Sequence, residues 1–225
     1  MDFIFMLTRN DRTVEDCLDL VDLIEPVGLK HVGFKDIGVA PDVLRKLAGA
    51  IRRTGATTYM EVVSTTAEAC LNSARIARDL GIQRLLGGTQ VDEIMALLEG
   101  SDTEYYPFPG RPVGHPTKLG GSPGDVEADC RSFAEKGCAG CDILAYRATE
   151  ADPAELVRAA RRGLGPLRHL IVAGAVASAD RIKAIKQAGA DAFTIGTAVF
   201  DGSYSPTKGS ILSQLRDVLA DCERV

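Results

Sequence analysis

The chain has 225 residues, of which 45% are hydrophobic and 25% charged, with a formal net charge of −5. That is an ordinary globular composition, long enough for one barrel of eight strand–helix units, and its acidic balance excludes nucleic-acid backbones as a favoured partner. No apolar run approaches the roughly 20 residues that cross a bilayer, and Met1 to Leu7 lack the basic start and small-residue cleavage site of a signal peptide, so no membrane partner and a cytoplasmic location are expected.

Phe3-Ile4-Phe5-Met6-Leu7 is a continuous apolar run, as expected for a strand covered on both faces. A polar loop from Thr8 to Arg12 follows, and Thr13 caps a helix whose Val14, Cys17, Leu18, Val21 and Ile24 share one face. His31 to Lys35 is the second strand, and Pro41 opens a helix with Val43, Leu44, Leu47 and Ile51 inward. Thr57 to Val63 is the third strand, followed by a helix from about Thr66 to Leu80 that stops at Gly81. Arg84 to Gly88 and Val91 to Leu98 form the fourth unit, and Glu104 to Phe108 the fifth strand.

There the rhythm breaks. Pro109 to Pro123 carries no apolar period, and a loop of that length in a compact barrel reads as a lid or substrate-contact loop, with His115 its one histidine. Pro123 to Lys136 is a helix, Cys141 to Tyr146 the sixth strand, and Asp152-Pro153 opens the sixth helix. The strands ending in Gly174 and Gly196 are the seventh and eighth, separated by a helix from Ser178 to Gly189, and a final helix runs from Thr207 to Cys222. Eight alternations without a strand-only stretch predict an α/β fold: a single (β/α)8 TIM barrel over residues 1–225, with a long loop after strand five. A doubly wound open sheet is the alternative.

Two apolar runs ending in glycine on neighbouring strands, with a helix start beside them, form a candidate phosphate cup. Backbone N–H groups at Gly174, Ala175, Gly196 and Thr197 are free there to hold an anion, and glycine lets the backbone approach it. Val172-Ala173-Gly174-Ala175-Val176 followed by Ile195-Gly196-Thr197-Ala198 resembles the phosphate site of the ribulose-phosphate-binding barrels, which include N-acylmannosamine-phosphate epimerase and the histidine- and tryptophan-pathway isomerases. The resemblance covers the last quarter of the chain and implies a TIM barrel that binds a phosphorylated small molecule. No further residue is carried over from it.

Barrel chemistry sits at the carboxyl ends of strands. That rule selects Lys35 and Glu61, on neighbouring strands where their heads can meet, and Asp142 on the opposite wall as a second acid/base. Glu61 would take a proton from carbon, and Lys35 as ammonium would stabilise the enediolate or return the proton. Asp36 would hold Lys35 charged, and Arg9, His115 and Arg147 complete the candidate substrate contacts. The expected function is a sugar-phosphate isomerase or epimerase of carbohydrate metabolism, expected as a homo-oligomer. The alternatives are an aldolase or lyase working through a Lys35 Schiff base, and a non-catalytic sensing barrel of the kind the glycerol-uptake antiterminator regulators resemble.

The first strand has no Gly-rich turn after it, so a dinucleotide cofactor is not expected. Metal-free chemistry is ranked above an oxygen-only Mg2+ site of Asp36, Glu61 and Asp142. Cys138 and Cys141 have redox or zinc-half-site spacing, but no second pair lies near them, and the six cysteines read as reduced and structural.

Overall fold

Strand β1 (Asp2–Met6) is buried from its second residue on and divides its side chains between two layers. Ile4 and Met6 point into the barrel, where they meet Tyr59, Leu86, Tyr106, Ile171 and Ala192. Phe3 and Phe5 point outward into the larger layer between strands and helices. This split follows from the period-2 alternation of a strand. The computed structural model describes residues 1–64 and 66–225.

The remaining barrel strands are β2 (His31–Lys35), β3 (Thr57–Val62), β4 (Arg84–Gly87), β5 (Glu104–Tyr106), β6 (Gly140–Ile143), β7 (His169–Val172) and β8 (Ala192–Ile195). All pair in parallel, in the order β6-β7-β8-β1-β2-β3-β4-β5. The two ends of that sheet meet through hydrogen bonds from the Ala139 N–H to the Tyr105 carbonyl and from the Asp142 N–H to the Pro107 carbonyl, both at 3.1 Å. The expected TIM barrel is therefore present, and nearly closed.

Helices α1 (Cys17–Ile24), α2 (Pro41–Arg53), α3 (Ala67–Leu80), α4 (Val91–Leu98), α5 (Pro123–Glu135), α6 (Pro153–Leu164) and α7 (Ala179–Gln187) connect the strands. Several start as the sequence dictates. Ser122 and Asp125 form a reciprocal capping box on α5, Asp152 caps α6 ahead of Pro153, and Ser178 caps α7. After β8 come a single turn, α8 (Thr197–Phe200), and the closing helix α9 (Ile211–Glu223), which begins four residues later than expected.

Two loops differ from the reading as unstructured chain. Residues Thr8–Arg9 and Arg12–Thr13 pair as a small hairpin, with Asn10 and Asp11 at φ 50° and 58° in its turn. Both central residues lie in the left-handed region, as a type I′ turn requires, and Asn and Asp tolerate it best among non-glycine residues. The segment after β5 is also a hairpin, Arg111–Val113 with Lys118–Gly120. Its Leu119 is buried, and its carbonyl accepts from the Thr149 N–H at 3.0 Å. The sixth strand ends at Ile143, three residues earlier than expected, and Ala145–Arg147 forms a turn instead.

The amino-terminal mouth is plugged by polar side chains. The Arg84 guanidinium donates to the Tyr59 hydroxyl at 2.6 Å and pairs with Glu104 at 3.0 Å. Tyr59 lies 3.1 Å from His31 Nδ1. Burial pushes both His31 and His169 below the usual imidazole value. These histidines belong to the stability face.

Candidate active site

Lys35 is the last residue of β2, and Glu61 lies directly across from it on β3. Parallel partners in register share a face, so both side chains enter the barrel mouth, where Nζ and Oε1 meet at 3.0 Å. Each residue is only 5% exposed. The β1–α1 hairpin is fastened to this point. The Thr13 hydroxyl donates to the Lys35 carbonyl at 2.8 Å and accepts from the Lys35 N–H at 2.9 Å. That clip carries Asp11 over the cavity, and its Oδ1 accepts from Lys35 Nζ at 2.9 Å.

Arg147, in the turn after β6, grips the same carboxylate with both arms of its fork, at 2.6 and 2.9 Å, and donates to the Thr117 carbonyl of the long hairpin at 3.3 Å. Bidentate pairing of this kind is both directional and strong. Burial opposes a charge on Lys35, but the Glu61 and Asp11 carboxylates outweigh it and hold the amine above its ordinary value. It is an ammonium at neutral pH. Burial also opposes the Asp11 charge, and there the Arg147 and Lys35 cations win, holding its carboxyl well below the usual range.

Asp142 behaves oppositely. It is fully buried, and neither carboxyl oxygen reaches a hydrogen-bond partner among the described residues. Burial, reinforced by the Glu61 charge, pushes its carboxyl well above the usual range against the pull of Lys35 and Arg147.

A cavity of about 330 Å³ opens over this cluster, a volume within the range of small-molecule sites. Lys35, Glu61, Asp11 and Arg147 line it, and so do Gly174, Ala175, Gly196 and Thr197 of the proposed cup. Asp142 does not line it. Three other candidates are not brought there. Asp36 follows Lys35, so strand alternation turns it to the helix side, where the Ser73 hydroxyl and the Val63 N–H donate to it. It neither holds Lys35 nor converges with Glu61 and Asp142 on a cation, and among the described residues no group of three His, Cys, Asp or Glu side chains is placed to hold a metal. Arg9 is exposed on the first hairpin, and His115 is exposed on the long one.

The glycines of the cup stand close to neighbouring protein groups as well as to the cavity. A Cβ on Gly174 would lie 2.5 Å from Arg147 Nε, and one on Gly196 would lie 2.6 Å from the Thr8 carbonyl oxygen. The missing side chains make room for protein, and it is the backbone beside them that lines the cavity. Asp11 escaped the sequence reading, although Asn10-Asp11 between two short β-prone pairs was the available turn signal. All six cysteines are free. Cys138 and Cys141 are buried, and Cys141 Sγ lies 3.6 Å from Cys130 Sγ.

No protein-family model matches the sequence, and no curated protein matches it. Solved structures do match. Orotidine 5'-phosphate decarboxylase from Pyrococcus horikoshii superposes with a TM-score of 0.66 at 16% identity, covering 99% of this chain and 100% of that one. A mandelate oxidase mutant with a monooxide FMN adduct gives 0.64 at 13% identity, over 97% and 70%. The Amycolatopsis orientalis BexX/CysO complex gives 0.59 at 20% identity, over 97% and 88%. The architecture and these likenesses agree on a parallel (β/α)8 barrel. At these identities the likeness establishes the fold alone.

Proposed function

We propose that this protein is an enzyme that moves a proton on a small phosphorylated sugar or related phosphate ester, as an isomerase or epimerase working through an enediolate. The observation that carries the reading is the Lys35–Glu61 pair, held at 3.0 Å in the wall of the same cavity as the backbone corners at Gly174 and Gly196. Those corners would hold the phosphate and aim the carbon end of the molecule at the pair. Glu61 takes the proton alpha to the carbonyl. Lys35 Nζ, already an ammonium, donates to the oxygen on which negative charge develops. Glu61, once protonated, returns the proton to the neighbouring carbon, since Asp142 does not line the cavity.

A Lys35 Schiff base ranks second, because an amine must lose its charge before it attacks a carbonyl, and two carboxylates keep this one charged. A panel of phosphorylated ketoses and aldoses, each beside its dephosphorylated form, tests the substrate class. A ligand at a hundred times its Kd stabilises the fold by about 2.7 kcal/mol, which is a rise in Tm of roughly 5–10 °C at this size. The rise is expected for phosphorylated members only. Equal shifts from both forms would refute the phosphate anchor, and a borohydride-trapped adduct on Lys35 would move the reading to the aldolase.

A further inference from the structure

The cup contains one residue that its conformation should disfavour. Ala175 sits at φ 58°, in the left-handed region where a Cβ is crowded by the backbone. It lines the cavity between Gly174 and Val176, so the direction in which its peptide groups point decides what the cup presents. Arg181 closes the segment from 175 to 181 at two points. Its N–H donates to the Ser178 hydroxyl at 3.3 Å, and its guanidinium reaches back to the Ala175 carbonyl. The guanidinium also lies 4.7 Å from the centroid of the Tyr146 ring, which stands in the turn that carries Arg147. Stacking of this kind restrains a side chain that would otherwise be free in solvent. Arg181 itself does not line the cavity.

We infer that Arg181 is a positioning residue for anion binding: braced on Tyr146, it holds the Ala175 carbonyl away from the cavity and so keeps the left-handed turn whose N–H groups face an anion. The inference rests on the phosphate cup of the proposed function and adds the device that keeps it open. Without Arg181, Ala175 relaxes toward an ordinary conformation and the cup loses its shape. A glycine at 175 adopts the left-handed region at no steric cost, so it should make the brace dispensable.

The test uses the intact protein and inorganic phosphate, with titration calorimetry for affinity and the Ala175 HN–Hα coupling by NMR for backbone conformation. Arg181→Ala should weaken phosphate binding about tenfold and move the coupling away from its left-handed value. Arg181→Lys, which keeps the charge but lacks a planar fork, should fall with it. Arg181→Ala combined with Ala175→Gly should recover most of the affinity. Parent-like affinity and coupling in Arg181→Ala would overturn the inference, as would failure of the glycine to restore binding, which would mark Arg181 as a plain charge. A parent that binds no phosphate would sink the cup and this inference together, whereas a parent that binds while Arg181→Ala binds equally well would sink this inference alone.

Discussion

Asp11 and Asp142 carry the same side chain with proton affinities shifted in opposite directions, because Asp11 is hydrogen-bonded to two cations whereas Asp142 is fully buried, has no hydrogen-bond partner among the described residues and feels the Glu61 charge. The signs of their contributions to stability follow. Asp11, depressed in the fold, stabilises above the ordinary carboxyl value of about 3.9 and loses that contribution as pH falls below it. Asp142, raised in the fold, contributes fully below that value and loses its contribution as pH climbs through the raised one. Asp142→Asn should therefore be more stable than the parent at pH 8, because the amide has no charge to bury there. The gap should close toward pH 4, and denaturant melts at both values check this. Asp11→Asn should instead lose about 3 kcal/mol at pH 7, because it strips the shared counterion from a buried Lys35 and a half-buried Arg147. Lys35 ends an apolar run and Glu61 interrupts one near its end, so both stood out at the carboxyl ends of strands. Asp36 was misjudged because alternation, applied from Lys35 onward, sends it outward. Asp11 was hidden in what read as a polar loop.

Elements meet in this barrel at glycines where an added Cβ would press on backbone in one case and on a side chain in another. A Cβ on Gly140 would stand 1.7 Å from the His169 carbonyl oxygen, where β6 meets β7, and neither strand can retreat without breaking the ladder. On Gly33 it would stand 2.5 Å from Met6 Sδ, the far part of a flexible side chain. Gly140→Ala should therefore yield little soluble protein, while Gly33→Ala should fold with a loss of about 1–2 kcal/mol, read from expression yield and urea midpoints. Periodicity revealed each barrel strand because the strands are apolar and short. It missed the hairpin at 111–120 because Pro112, Gly114 and Pro116 interrupt any alternation there. The early end of β6 was equally hidden, since Leu144, Ala145 and Tyr146 continue its apolar run into a turn.

At the scale of the whole molecule, the two mouths of the barrel divide the work. The amino-terminal mouth is closed by Arg84, Glu104, Tyr59 and His31, and the carboxyl mouth holds the cavity. The strand–helix rhythm made this architecture readable, because eight parallel strands have few ways to bury both faces. The reaction was not readable in the same way, since one barrel supports many chemistries and its side chains come from separate loops. No helix in the described structure is long and apolar enough to cross a membrane. In the proposed reaction Glu61 and Lys35 exchange a carbon-bound proton of a phosphorylated substrate. Proton NMR in deuterated solvent tests it most directly, following deuterium entry next to the carbonyl of sugar phosphates that stabilise the protein. Exchange is expected with the parent, at a rate about 10²–10⁴ lower in Glu61→Gln; exchange at the parent rate in both Glu61→Gln and Lys35→Met would rule this chemistry out.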